Sequence, residues 1–469
     1  INNNENRKPD GSKYNLNTDG LKIYTTINYT MQEYAENAVA EHMPRLQQEF
    51  FKQNEVVDDS IAPFRELTSG AVDTLLRISM RRSERWRKMR YDMKKTPEEI
   101  EASFFEPTKM TVFSWNGDID TIMQPIDSMK YYKSFFRPGM MSMDPSNGFI
   151  KAWVGGMNYK HFQYDMAKKG KRQTGSTFKP FVYAAAIDQL HLSPCDTFPD
   201  SQFCIEKNKF GNVEQWCPKN SGDKYGRTRT LKNALANSVN TITARLMDRI
   251  GPKPIVKLAK KMGIEQRIPP VPSIALGTPD LSVYEMVAAY STFANKGVYT
   301  KPVFVERIED KNGTLLYQYQ PETRDVLSEE AAYVTVNLLE GVTRSGSGTR
   351  LRTVGSDEHN LAYKNVVTGY PYEFKNPIAG KTGTTQNQSD GWFIGMVPNL
   401  VTGVWVGAED RAIHFEEIAY GQGATMALPI WGLYMKSCYQ DSILNVSQEA
   451  FEKPDYMTIE LECNKFVID

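Results

Sequence analysis

Residues 174–184 read TGSTFKPFVYA and decide how the rest of the chain is interpreted. Ser176 stands three residues before Lys179, and the apolar run that follows predicts a helix that continues to about residue 190. Residues three apart on a helix share a face, so this helix start places an amine within reach of a hydroxyl. A serine is a weak nucleophile until a base removes its proton. The stretch therefore predicts an activated nucleophile at the start of a buried helix.

Taken alone, the S-x-x-K pattern is a weak indication of chemistry. A serine at a helix start beside a lysine is also typical of a helix cap next to a surface charge. The chain contains a second S-x-x-K, from Ser221 to Lys224, in a loop-like stretch rich in glycine and lysine. Further residues are needed to distinguish a catalytic pair from a cap.

Two other motifs follow in chain order. ANSVNT contains an S-x-N motif, Ser238 to Asn240, at the start of the helix after residue 237, within the helical pattern over 230–250. AGKTGTTQNQSDGWFIG contains the chain's one K-T-G motif, Lys381 to Gly383, at the end of a predicted strand. The order is that of the S-x-x-K, S-D-N and K-T-G motif set found in penicillin-binding proteins and class A β-lactamases, with Val239 in place of the Asp.

The strand and helix patterns indicate an α+β fold. An early hairpin is predicted around the turn at residues 144–148, and helical patterns fill most of the middle of the chain. Three consecutive strands are predicted over 377–383, 389–397 and 400–407. Strands at both ends with helices between them predict an antiparallel sheet that pairs the early hairpin with the late strands.

Composition narrows the class of protein. The 469 residues include 56 basic and 56 acidic side chains, so the net charge is zero, and 40% of the residues are hydrophobic. This balance argues against a nucleic-acid partner. No apolar run reaches the 18 or so residues that a membrane helix needs. Because the chain begins with Ile1 and a polar, Asn-rich stretch, we interpret it as a piece of a longer polypeptide that starts in a linker.

A basic segment, RRSERWRKMRYDMKK at 81–95, allows two interpretations. It could bind a polyanion or a membrane surface, or it could be a solvated helix face. Acidic residues follow at once in TPEEIE, which favours the solvated face.

The five cysteines predict two disulfides and one spare thiol. Cys204 and Cys217 flank a segment with a turn signal, and Cys438 and Cys463 could pin the C-terminal tail. The alternative is five reduced, buried cysteines. Neither a CxxC pair nor an HExxH pattern occurs, so no metal site is expected.

Longer stretches extend the similarity beyond the three motifs. They resemble the transpeptidase half of class A (bifunctional) penicillin-binding proteins, in the penicillin-binding/serine β-lactamase-like superfamily. The resembling stretches are GLKIYTTIN, AWVGG, RQTGSTFKPFVYAAAID, ALGTPDLSVYEMVAAYSTFANKGVY and AGKTGTTQNQSDGWFIG. The resemblance covers about 20–28 and 137–435 and leaves 45–125 unplaced. It implies the β-lactamase/transpeptidase-like fold, with helices flanking the sheet and a smaller linker domain in front.

The resemblance also implies a role for each motif residue. Ser176 would attack the carbonyl of a D-alanyl-D-alanine bond, with Lys179 as its base. Ser238 would pass the proton to the leaving amine, and Asn240 would orient Lys179 and the substrate amide. Gly383 would let the strand backbone approach the substrate closely.

Further implied roles concern the substrate's charge. Lys381 and the hydroxyls of Thr382 and Thr384 would hold its C-terminal carboxylate. The N–H groups of Ser176 and Thr384 would form the oxyanion hole. Asp390, which follows the K-T-G motif, is predicted to lie in a turn rather than to act as a catalytic acid. No cofactor is implied.

The predicted division of the chain has four parts. They are a flexible linker (1–19), an N-terminal linker or insert domain (20–136), the transpeptidase domain (137–440) and a C-terminal tail (441–469). By resemblance, a glycosyltransferase half and a membrane anchor would lie upstream.

The function that the resemblance implies is D,D-transpeptidation, with covalent inhibition by β-lactams. The partners would be peptidoglycan stem peptides and other cell-wall synthesis proteins. The expected location is the outer, periplasmic face of a bacterial cytoplasmic membrane. The alternatives are a D,D-carboxypeptidase or β-lactam hydrolase, and a non-catalytic penicillin-binding sensor.

Overall fold

The computed structural model of the chain describes residues 7–8, 10–55, 57–352 and 365–463. The strands are β1 Lys22–Thr25, β2 Thr108–Val112, β3 Ile119–Met123, β4 Arg137–Met143, β5 Ile150–Val154, β6 Arg172–Gln173, β7 Thr197–Pro199, β8 Thr228–Thr230, β9 Asp280–Leu281, β10 Val298–Thr300, β11 Val305–Glu309, β12 Leu315–Gln318, β13 Thr323–Asp325, β14 Ala379–Thr384, β15 Asp390–Val397 and β16 Leu400–Gly407. The α-helices are α1 Tyr29–Asn54, α2 Ser69–Arg82, α3 Glu84–Arg87, α4 Pro97–Ser103, α5 Pro125–Lys133, α6 Lys179–Leu190, α7 Leu231–Ala236, α8 Asn240–Ile250, α9 Pro252–Lys261, α10 Val283–Ala294, α11 Glu329–Ser345, α12 Ile418–Gly421, α13 Gly423–Met426 and α14 Leu428–Gln440.

A five-stranded antiparallel sheet organises the chain. Its strand order is β14-β15-β16-β4-β5, so the late strands pair with the early hairpin through β16 and β4. Val404, for example, lies opposite Met140. The predicted pairing and the α+β class are confirmed. The strand that carries the K-T-G motif, β14, lies at one edge of the sheet.

Both faces of the sheet are covered by helices. Successive side chains of a strand point to opposite faces. Trp392 packs in one core with helices α6, α8, α10 and α11, whereas its neighbour Phe393 packs in the other core with α1 and α14. Both aromatic side chains are fully buried. This explains why the late strands are almost continuously apolar rather than alternating.

One element differs from the predictions. The helical pattern over 230–250 forms two helices, α7 and α8, because Ser238 adopts a left-handed conformation with φ 56° that cannot continue a helix. The stretch GLKIYTTIN contributes β1, which pairs with β11 in a separate three-stranded sheet.

The disulfides correct one predicted pair. Cys204 is joined to Cys217, the pair that the turn signal predicts, but Cys463 is joined to Cys195 and not to Cys438. The tail runs past the turn after α6, where Ser193 Oγ donates to the Glu460 carbonyl oxygen at 2.6 Å. Cys438 is instead unpaired and buried on α14, where burial raises the pKa of its thiol to about 12.

The basic segment 81–95 lies on the surface, largely as short helices. Glu84 pairs with Lys88 at 3.1 Å, and Lys95 pairs with Glu99 at 2.9 Å. Trp86 turns inward against Phe104. No helix within the described ranges combines the length and the apolar character that crossing a membrane requires.

Candidate active site

The predicted nucleophile lies on a short 3₁₀ turn, Gly175–Phe178, that leads directly into α6. Ser176 is half-buried there. Gly175 has φ +52°, and a Cβ at that position would lie 2.7 Å from the carbonyl oxygen of Thr384. A glycine is therefore needed both for the backbone conformation and for the close approach of the turn to the K-T-G strand.

Lys179 is fully buried one turn after the serine. Its Nζ donates to the Ser238 carbonyl oxygen at 2.5 Å, and it lies 3.1 Å from Ser238 Oγ and 2.6 Å from Asn240 Oδ1. Burial, together with the nearby charge of Lys381, holds the pKa of Lys179 well below its usual value. The amine can therefore be neutral, which a base must be.

The S-x-x-K motif predicts a contact between the Lys179 amine and the Ser176 hydroxyl, but the amine has other hydrogen-bond partners. Its hydrogen bonds within the described part of the chain go to Ser238 and Asn240, and none joins Nζ to Ser176 Oγ. Catalytic hydrogen bonds are often long before substrate binds, and they tighten in the reacting complex.

Lys381 approaches Ser238 from the other side. Its Nζ donates to Ser238 Oγ at 3.0 Å and to the carbonyl oxygen of Thr382 at 2.9 Å. The side chain is fully buried, and burial lowers the pKa of its amine to about 7. Ser238 Oγ thus lies between two buried amines that carry no carboxylate partner among the described residues.

The hydroxyls of the K-T-G strand have defined partners. Thr382 Oγ1 lies 2.5 Å from Ser347 Oγ, and Thr384 Oγ1 accepts a hydrogen bond from the Gly423 N–H at 3.1 Å. Ser347 lies in the stretch TRSGSGTR, which motif reasoning did not link to the site. The structure therefore adds a hydroxyl beside those predicted to hold a carboxylate.

Gly383 is required for packing against the nucleophile turn. A Cβ there would lie 2.8 Å from both the Thr174 carbonyl oxygen and Thr177 Cγ2, and 3.0 Å from Trp392 Cβ. The sequence argument assigned this glycine to close approach of the substrate. In the structure, the close neighbours are the residues that surround Ser176, so the glycine sets the distance between two walls of the site.

A network that the motifs did not reveal holds Asn240. Asn220 Oδ1 accepts from the N–H groups of Asn240 and Thr241 at 3.0 and 3.1 Å and so caps α8. Asn220 Nδ2 in turn donates to buried Asp200 at 2.7 Å. Burial would raise the pKa of Asp200, but hydrogen bonds from Thr241, Arg229 and Asn220 hold it below its usual value. Asn220 directly precedes the second S-x-x-K, so that loop contributes support rather than a nucleophile.

Asp390 lies in the strand predicted over 389–397 and not in the turn that was separately predicted for it. It is the first residue of β15, is fully buried, and accepts a hydrogen bond of 2.7 Å from Nε of Arg172. Trp405 Nε1 donates to the same oxygen at 3.0 Å. Because Arg172 lies on β6 just before Ser176, this ion pair ties the nucleophile segment to the K-T-G hairpin.

The structure therefore brings together all eight motif residues predicted to act at one site, which are Ser176, Lys179, Ser238, Asn240, Lys381, Thr382, Gly383 and Thr384. Among the residues that the structure describes, no cluster of His, Cys, Asp or Glu side chains is arranged to hold a metal ion.

Comparisons with known proteins agree with this arrangement. Residues 139–411 match the family described as penicillin binding protein transpeptidase domain, and residues 59–136 match the penicillin-binding protein middle domain. The second match places most of the region that the sequence analysis left unassigned.

Similar proteins include penicillin-binding protein 1A of Aquifex aeolicus (strain VF5). It is 30% identical over 427 residues, which cover 89% of this chain and 53% of that protein. Penicillin-binding protein 1A of Neisseria meningitidis serogroup A is 30% identical over 303 residues, covering 63% of this chain and 35% of that protein. The chain thus spans about half or less of the length of these relatives.

Solved structures show the same fold at lower identity. Penicillin-binding protein 1A from Haemophilus influenzae superposes with a TM-score of 0.63 at 21% identity, covering 93% of this chain and 68% of that one. The penicillin-binding protein PonA1 from Mycobacterium tuberculosis gives a TM-score of 0.61 at 22% identity, covering 96% of this chain and 90% of that one. Since the transpeptidase match spans more than half of the chain, the protein belongs to the penicillin-binding protein transpeptidase family.

Proposed function

We propose that this chain is a serine D,D-transpeptidase that cross-links peptidoglycan stem peptides through an acyl-enzyme on Ser176 and is acylated at the same residue by β-lactams. Family membership supports the class of reaction. The observation that carries the proposal is the position of Ser238 Oγ between the buried amines of Lys179 and Lys381, beside the Ser176 turn.

Acylation begins with proton transfer from Ser176 to Lys179. The lowered pKa of Lys179 raises the neutral fraction of its amine, and the lone pair of the neutral amine accepts the proton as Oγ attacks the carbonyl carbon. Ser238 Oγ, 3.1 Å from Nζ of Lys179, then relays a proton to the departing D-alanine amine. The tetrahedral oxyanion is held by the N–H groups of Ser176 and Thr384, and such a donor is worth about 3–4 kcal/mol in other enzymes.

Substrate is held at the K-T-G strand by its C-terminal carboxylate. Protonated Lys381 supplies the positive charge, and the hydroxyls of Thr382 and Thr384 donate hydrogen bonds. Asn240 orients Lys179 through its Oδ1 and is itself fixed by Asn220. An amine of a neighbouring stem then attacks the acyl-enzyme, releases Ser176 and forms the cross-link.

The same proposal includes the division of the chain into four parts, which are 1–19, 20–136, 137–440 and 441–469. It also includes other cell-wall synthesis proteins as partners. The proposed location is the outer face of a bacterial cytoplasmic membrane. The disulfide Cys204–Cys217 and the disulfide Cys195–Cys463 support an oxidising compartment such as the periplasm.

The test is covalent labelling by benzylpenicillin, read by intact mass and peptide mapping. We expect one penicilloyl group on the peptide that contains Ser176, absent in Ser176→Ala. Ser221→Ala is the matched control, because it changes the serine of the second S-x-x-K, and it should label as the native chain does. No adduct, or an adduct on Ser221, would contradict the proposal.

A second measurement separates transpeptidation from hydrolysis. The acyl-enzyme is formed from a D-alanyl-D-alanine donor, and an amine acceptor is added at increasing concentration. A transpeptidase diverts the acyl group to the amine and suppresses hydrolysis. A carboxypeptidase or β-lactam hydrolase releases the acid regardless of the amine, and a sensor stays acylated without turnover.

A further inference from the structure

A groove of about 720 Å³ lies at the edge of the central sheet opposite the K-T-G strand. Its walls are α1, the tip of the β2–β3 hairpin, the end of β5 and residues 155–159 and 162–165, which follow β5. None of the residues proposed to act in transpeptidation lines it. The groove is thus separate from the Ser176 site, although segment 155–165 leads within about ten residues to β6 and the nucleophile turn.

Aromatic rings and uncharged hydrogen-bonding groups dominate the lining. Tyr159 and Tyr164 are 82% and 53% exposed, and Trp115, Trp153 and Phe162 form the more buried wall. Besides the polar atoms of these aromatic side chains, the groove is lined by the amides of Asn37, Asn158 and Gln163 and by the carboxylates of Glu36 and Asp165.

This lining selects a class of ligand. No Lys, Arg or His side chain is present among the described residues that form it, so phosphates and other anions have no counter-charge there. Exposed aromatic faces offer flat apolar surface, and the amides and carboxylates offer both donors and acceptors. A neutral amino sugar matches both features of this lining. Its C–H face stacks on an aromatic ring, and its hydroxyl and acetamido groups form hydrogen bonds with the amides and carboxylates.

Backbone hydrogen bonds within the protein fix the conformation of the segment that forms one wall of the groove. The Met166 N–H donates to the Gly155 carbonyl oxygen at 2.7 Å, and the Phe162 N–H donates to the Asn158 carbonyl oxygen at 2.8 Å. A Cβ on Gly155 would lie 2.7 Å from Asp165 Oδ1, so the two ends of the segment approach as closely as a glycine permits. A preformed site orders little on binding, which favours affinity.

We propose that this groove binds the glycan strand of peptidoglycan through its N-acetylated amino sugars while the stem of that strand reaches Ser176. The inference rests on the proposed function and names a second contact with the same polymer. Four strand spacings of about 4.8 Å separate β5 from β14, which is about 19 Å. An extended stem of about five residues spans about 17 Å, which is shorter than this separation, so the sugars held in the groove would lie further along the strand than the sugar whose stem reaches Ser176.

The experiment is a calorimetric titration with the tetramer of β-1,4-linked N-acetylglucosamine, which carries no peptide and no charge. We expect saturable binding to the native chain and binding about tenfold weaker in Tyr159→Ala, the size expected for loss of one stacking contact. Gln163→Ala is a second variant, since its amide has no hydrogen bond within the described residues. Tyr456→Ala is the matched control, because Tyr456 is 79% exposed at a distant position and should bind as the native chain does. Thermal unfolding of each variant reports whether it keeps its fold.

The titration does not involve Ser176, so its result is independent of whether benzylpenicillin acylates the protein. Failure of acylation at Ser176 would overturn the proposed function and leave the groove to be judged by binding alone. Absence of tetramer binding to the native chain, or equal affinity in the native chain, Tyr159→Ala and Gln163→Ala, would overturn the glycan inference and leave the transpeptidase proposal intact.

Discussion

Lys179 and Lys381 share one hydrogen-bond partner, because their Nζ atoms lie 3.1 and 3.0 Å from the same oxygen, Ser238 Oγ. Both side chains are fully buried, and burial lowers the pKa of each amine. In the proposed mechanism the two amines have different tasks, since Lys179 must be neutral to accept a proton and Lys381 must be charged to hold a carboxylate.

The pH dependence of acylation tests the role of Lys381. Its pKa of about 7 means that the charged fraction falls as pH rises through 7, by up to about tenfold per pH unit above it. The second-order rate constant for acylation by benzylpenicillin should therefore decrease on the alkaline side. Benzylpenicillin methyl ester lacks the carboxylate and should not show this decrease. The same alkaline limb with both compounds would contradict a carboxylate-binding role for Lys381.

Asn220 is expected to act through Asn240. Asn220→Ala removes the acceptor for two N–H groups of α8, which should lower the free energy of unfolding by about 1–2 kcal/mol. It should also slow acylation by benzylpenicillin, because Asn240 is no longer held against Lys179. Asn312→Ala, in an exposed turn, is the control. A variant that loses stability but acylates at the native rate would show that Asn220 is only structural.

Gly383→Ala should disturb the distance between the K-T-G strand and the nucleophile turn. The new Cβ would meet the backbone oxygen of Thr174 at 2.8 Å, and such overpacking costs about 1–3 kcal/mol. Denaturant unfolding measures the loss, and the acylation rate should fall with it. In Gly70→Ala the added Cβ would have no neighbour within 4 Å on α2, so that variant should be as stable as the native chain or slightly more stable. Equal stability of Gly383→Ala and Gly70→Ala would argue against tight packing at β14.

The cysteine pairing can be tested by alkylation and peptide mapping. The native, unreduced chain should resist iodoacetamide because the one free thiol, Cys438, is buried, and unfolding without reduction should expose a single reactive thiol. Peptides that contain Cys195 and Cys463 should remain linked until reduction. A linked peptide that joins Cys438 to Cys463 would contradict the structure and restore the pair predicted from sequence.

The positions of the three motifs could be predicted from sequence because each motif is short, occurs in a fixed order along the chain and is tied to local structure. Ser176 and Lys179 are one helical turn apart, so helix geometry alone relates them. The late strands were also predictable, since residues 390–397 and 400–407 form two runs of strand length separated by a short turn. Family resemblance then supplied the roles that local geometry could not.

Other features depend on residues that are distant in sequence. The partner of Cys463 is decided by where the tail passes α6, 268 residues away along the chain, and no local pattern records that path. Asp390 resembled a turn residue until the fold placed Arg172 beside it. Ser238 could be located by its motif, but its break between two helices follows from its backbone conformation in the folded site.

The sequence by itself determined the chemical groups, their order and the strands and helices that carry them, because these follow from side-chain type and from the periods of local structure. Only the tertiary structure decided the distances between these groups, because the groups come from parts of the chain that are far apart in sequence. The shared contact of Lys179 and Lys381 with Ser238 joins residues 59 and 143 positions away from that serine. Their lowered pKa values arise from burial, which no short stretch of sequence can specify.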